Sequence, residues 1–382
     1  MSFSYEYKGL QQVADFFDQL ADDVMDARTW LSDTTDMTFG PGLLNLVLGG
    51  HNDVTETVTD HQKGFSESVL RVAAEEFRAA DKLYRSTDDE ASKEIDQAWQ
   101  DADVGTAPEA VPGAGAGPTF MLVTRAKDFT TNFGDFDGEF TNEPKWSFSL
   151  SATDYSRKIV YEASQIAVEA GVLSDPVDLY EYLLKPVFGN WVGLRQCAEV
   201  YDILSKQYEE YSAKIAEGVA ELDSIWTGAA ADGAKAWMVR LSHYCTDVAA
   251  DLSDISKEYK DGSKHCYDLA QAVGPPAIQA VEHAVLTSLA AGYAAGTTAT
   301  IVGAPAGAVL GAAAVAEAVL FGKAFATAIS AVGNLKTAVD AFGPTLGGMG
   351  VVTPANLRLG GGADTEVPDM PDLVNTEHVG QD

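Results

Sequence analysis

Residues 221–237 read ELDSIWTGAAADGAKAW, and the architecture follows from what lies on either side of them. Upstream, Leu194, Cys197, Tyr201, Leu204, Tyr208, Tyr211 and Ile215 step by three and four residues, and Leu222 continues the stripe two turns later. Downstream, Trp237, Leu241, Tyr244, Val248, Leu252, Ile255 and Tyr259 repeat the same rhythm. Apolar residues at that spacing form one buried seam on a helix. At 1.5 Å per residue each helix is on the order of 50 Å long. Gly228 lets the chain reverse at positive φ, and the Trp226 indole can anchor the reversal against neighbouring helices. Two such stripes around one tight turn predict a long antiparallel hairpin over residues 189–275.

A second hairpin is expected over residues 1–103. Leu10, Val13, Phe17, Leu20, Val24, Ala27 and Leu31 mark its first helix. The Gly40-Pro41-Gly42 run breaks the pattern. A second helix is expected from about Asn52, carried by Val54, Val58, His61, Phe65, Val69, Ala73, Phe77, Ala80 and Tyr84. Residues 104–118 are a Pro/Gly/Ala linker by composition. Residues 119–188 form a mixed connecting region: FMLVT and KWSFSLS, within 119–151, suggest a small β element. Helices are expected near 154–170 and 176–184, the latter with Asp175 as N-cap before Pro176. Residues 276–342 are an Ala/Gly-rich apolar helical region, and 343–382 read as a disordered acidic tail. The expected fold class is therefore mostly all-α, with long antiparallel hairpins packed as a bundle.

Lys and Arg total 25 against 57 Asp and Glu, for a formal charge of -32. A polyanion binds by releasing counterions to many basic side chains, so nucleic acid is not an expected partner. The same balance opposes an anionic membrane surface. The N-terminus carries neither the basic nor the apolar segment of a cleavable Sec signal peptide. Cys197, Cys245 and Cys266 form no Cys-x-x-Cys pair and lie out of register with one another, so free packed thiols are expected. His51, His61, His243, His265, His283 and His378 form no metal-binding spacing. No Gly-x-Ser-x-Gly elbow or phosphate loop occurs. No enzyme, metal or cofactor is expected.

With Trp226-Thr227-Gly228 set between two matched stripes, residues 190–272 resemble the WXG proteins of type VII (ESX) secretion, which are helical hairpins with Trp-x-Gly between the helices. Tyr84 is the one tyrosine among 14 followed four residues on by an acid, Asp88. That spacing puts both side chains on one helix face. Its place at the end of the first hairpin resembles the Tyr-x-x-x-Asp/Glu export signal of the EspC-like group. The resemblance implies an actinobacterial secreted or cell-surface protein. Its implied partners are a secretion ATPase, and a chaperone or WXG-family partner. The plainer readings are a buried turn tryptophan at 226 and a packed tyrosine beside a solvated turn at 84.

The two elements are divided here, one per hairpin, whereas in the family they commonly come from two subunits. The expectation is a fused pair in which the hairpins pack together and bring Tyr84 to Trp226. Two other readings stand beside it: a non-exported structural protein, and a membrane-active effector using the uncharged segment 284–316. Any homo-oligomer is expected to form through exposed faces of the long hairpins.

Overall fold

A computed structural model describes residues 4–5, 9–86, 126–130, 133, 140–147, 154–298 and 304–351. The linker at 104–118, the stretch FMLVT, and Asp88 and His378 lie outside the described residues.

The chain is a mostly α-helical bundle. A short strand, β1 (Ser4–Tyr5), precedes α1 (Gly9–Thr35). A 3-10 turn (Leu43–Val47) leads into α2 (Leu48–Phe65), which passes through a π turn (Ser66–Leu70) into α3 (Arg71–Ser86). Then come α4 (Asp154–Glu169), α5 (Trp191–Ile225), β2 (Trp226–Thr227), α6 (Ala229–Ala272), α7 (Gly274–Thr298) and α8 (Ala304–Gly348).

The four predicted stripes are the four faces of one core. Every stripe residue of α1, of α2 with α3, of α5 and of α6 is buried. The first hairpin lies against the second along its length. Thr55 bonds Tyr201 at 3.1 Å, His61 bonds Tyr244 at 2.6 Å, and His51 bonds Tyr259 at 2.7 Å. Phe17 meets Trp237 edge-on and stacks on Phe77, with centroids 5.6 Å apart in each pair. Buried Asp23 on α1 ties three segments together: its carboxylate accepts from Tyr211 Oη and Gln207 Nε2, both at 2.7 Å, and from the Ala126 backbone N–H at 2.9 Å.

The second helix starts earlier than expected, at Leu48, and runs through Gly49-Gly50. Those glycines are not a break. The Gly50 Cα packs so tightly on α8 that a Cβ would collide with the Gly343 carbonyl. Gly40, at φ 85°, makes the predicted turn, and Gly42 presses on the backbone of residues 185–188.

The expected β element is not found among the described residues of 119–151. Residues 145–147 form a turn held by Ser147 N–H donating to the Pro144 carbonyl at 2.8 Å, while Trp146 donates its indole N–H to Ala270 O at 3.0 Å. The described residues of this segment are held to the helices by aromatic anchors. The helix expected from Pro176 begins later, at Leu179, after a segment in which Val177 N–H donates to Ser164 Oγ at 3.0 Å. Asp178, not Asp175, accepts from the Tyr180 N–H at 2.8 Å and opens the π turn at Tyr180–Leu184. The apolar region beyond residue 275 forms a third hairpin, α7 with α8. Helix α8 continues to Gly348, past the boundary expected at 343, with Leu346 buried and Pro344 on its exposed side.

Candidate functional site: the Trp-x-Gly turn

Residue Gly228 adopts φ 129° and ψ -178°, a region that only glycine enters freely. This lets α5 end at Ile225 and α6 begin at Ala229 with two residues of extended chain between them. Those two residues are not idle. Trp226 and Thr227 pair antiparallel with Tyr5 and Ser4. The chain then enters α1 at Gly9, whose Cα lies so close to Ile225 that a Cβ would sit 2.7 Å from the isoleucine Cβ. Lys235 closes the turn from the solvent side, bridging Asp223 at 2.5 Å and Asp232 at 2.7 Å.

The antiparallel packing places this turn at the open end of the first hairpin, where α1 starts and α3 finishes. There the Tyr84 ring meets the Trp226 indole edge-on, centroids 5.8 Å apart and planes at 65°. Tyr84 is 6% exposed and Trp226 fully buried. Nearby on α3, Arg85 pairs with Asp81 at 2.7 Å. Across the α1/α3 seam, Arg78 bonds Asp15 at 3.0 Å and also pairs with Asp18. Of the four sequence-predicted residues, Tyr84, Trp226 and Gly228 thus come together from two hairpins, and Asp88 lies outside the described residues. The β1 segment was not foreseen, and a two-residue strand leaves no periodic signal.

The remaining candidates for chemistry are dispersed in the core. His51 donates its Nε2–H to the Thr35 carbonyl at 2.9 Å, and its Nδ1 bonds Tyr259 Oη at 2.7 Å. His61 is fully buried, and burial pushes its imidazole down to about 3. The three cysteine thiols are free and buried, and burial raises each, Cys266 to about 12. A thiol held protonated is a poor nucleophile and a poor metal ligand. Among the described residues no group of three His, Cys, Asp or Glu is placed to hold a metal ion.

No family model, curated protein or solved structure matches this chain.

Proposed function

We propose that this chain is a substrate of a type VII (ESX) secretion system, exported to the cell surface or medium, where it acts as a helical interaction scaffold and not as an enzyme. The observation that carries the reading is the contact between Tyr84 and Trp226. A composite export signal needs its two elements on one surface. In this chain the elements sit on separate hairpins, and the antiparallel packing of those hairpins joins them. Asp88, two residues beyond the end of α3, would complete the signal. The secretion ATPase would read that end of the bundle, alone or through a chaperone. No WXG partner chain would be needed, because the second hairpin supplies that role in cis.

The test is export itself. The tagged chain is expressed in an actinobacterium with an intact ESX system and quantified in washed culture filtrate. The reading expects export to vanish in a strain lacking the secretion ATPase, and in Tyr84→Ala and Asp88→Ala variants whose helicity is unchanged by circular dichroism. A chain that stays in the cells in every strain, or leaves regardless of the ATPase, rules the reading out in favour of a non-exported structural protein.

A further inference from the structure

The two extended residues of the Trp226 turn are paired on one side only. Among the described residues the sheet has two strands, with Ser4 opposite Thr227 and Tyr5 opposite Trp226. A two-residue strand adds too few bonds to hold itself in place, and elements of that kind open locally while a core stays closed. The stripe that seats α1 in the bundle begins at Leu10, beyond β1. Releasing β1 therefore leaves the seams of the bundle intact. Gly9, packed on Ile225, stays beside the turn and keeps the released strand tethered close to its pairing site.

The turn also carries an unmade hydrogen bond. The Trp226 indole is fully buried, and among the described residues no acceptor meets its N–H. Other tryptophans fare differently. Trp30, Trp146 and Trp191 each donate to a backbone carbonyl, that of Thr130 at 3.2 Å, Ala270 at 3.0 Å and Val187 at 3.0 Å. A buried donor without an acceptor is a standing cost of the closed turn, removed when water or a partner's oxygen reaches it. The strand β1 thus pairs with the residue whose indole N–H is left without an acceptor.

We propose that β1 is a strap that closes the Trp226 turn in the resting chain, and that it must leave before the turn is read for export. The gate presupposes that the chain is a secretion substrate. The vacated side of Trp226–Thr227 suits an extended peptide segment of the reader, because an extended segment in antiparallel register is what the structure already seats there. An oxygen on that segment would supply the acceptor that Trp226 Nε1 lacks.

The experiment uses the full chain carrying Ser4→Cys/Thr227→Cys, which sets two thiols opposite one another across the strand pair so that oxidation locks the strap. The native cysteines are buried and do not compete. Hydrogen exchange read by mass spectrometry reports the opening. In wild type and in the reduced variant, residues 226–228 are expected to exchange at least ~10-fold faster than the neighbouring stretch of α6, and oxidation is expected to slow them by at least ~10-fold. Exchange in step with α6, or unchanged by the lock, overturns the strap. Export reports the gate. Ser4→Pro/Tyr5→Pro removes both strand N–H donors. Its ATPase-dependent export is expected to start at least ~2-fold faster than that of wild type, with helicity unchanged by circular dichroism. A β1 that merely braces the turn would instead slow export. Exported wild type with an equal or slower proline variant overturns the gate alone. Wild type that stays in the cells overturns the secretion reading, and the gate falls with it.

Discussion

Tyr84 closes the first hairpin and Trp226 turns the second, and their rings pack edge-to-face at 5.8 Å. The contact joins two elements from separate hairpins, the meeting expected from the division of the motifs between them. It also makes a prediction that does not depend on secretion. Truncating a buried aromatic costs about 3–5 kcal/mol. If the two rings contribute to each other's stability, the double variant Tyr84→Ala/Trp226→Ala costs less than the two single variants summed. The expected coupling is about 0.5–1.5 kcal/mol, measured by urea unfolding of the four proteins in the cycle. Strict additivity would mean that the rings are neighbours without being partners, and the case for a single composite surface would weaken with it.

The turn itself can be tested through its glycine. Gly228 holds a backbone conformation in which any Cβ is strained, so Gly228→Ala is expected to cost about 1–3 kcal/mol. Gly49 gives the contrast. It lies within α2 with nothing within 4 Å of a would-be Cβ, so Gly49→Ala should be neutral or stabilising by up to about 1 kcal/mol. The thermal melt should therefore fall for Gly228→Ala and hold or rise for Gly49→Ala. A Gly228→Ala protein as stable as wild type would show that the turn has another low-energy path.

The helical seams were legible in the sequence because long stripes at three- and four-residue spacing leave little choice of face. The stripes on α1, α2 with α3, α5 and α6 all proved buried, and the Gly40 and Gly228 turns fell where they were expected. Gly50 misled because its reason lies in a contact with residue 343, far along the chain. The π turn did leave a local signal. His61, Phe65, Val69, Ala73 and Phe77 are spaced by four residues throughout. In an ideal α-helix each such step overshoots a turn by about 40°. The π turn at Ser66–Leu70 takes up a residue and brings the face back. Most of the strand sequence expected in 119–151 lies outside the described residues, and among those described the anchoring of Trp146 and Phe140 to α6 has no signature in local spacing. At the candidate site, Tyr84 and Trp226 could be picked out by motif. Their meeting depended on the antiparallel direction of the hairpins, which periodicity does not encode.

The buried histidines give the bundle a pH dependence whose sign can be worked out. His61 titrates near 6.5 when unfolded and is pushed down to about 3 in the fold by burial. Below pH 6.5 the unfolded chain binds a proton that the native chain refuses, so stability is full above 6.5 and is lost as the pH falls towards 3. His51 is lowered by the same cause and acts in the same direction. Asp23 acts oppositely: burial raises its carboxyl above the ordinary 3.8, so its contribution is present at low pH and is lost as the pH rises through its native value. Acidification also relieves the repulsion of a chain at -32, so the wild-type curve alone would mix several effects. The informative quantity is the difference from His61→Phe, which keeps an aromatic ring in the core and removes the titration. That substitution carries a pH-independent cost, since the Tyr244 hydroxyl loses its partner at 2.6 Å. Between pH 7 and pH 5, wild type should lose about 2 kcal/mol relative to the variant, read from urea midpoints at the two pH values. Parallel losses in the two proteins would mean that His61 takes up its proton in the folded state. The closed packing between the two hairpins would then have to open at mildly acid pH.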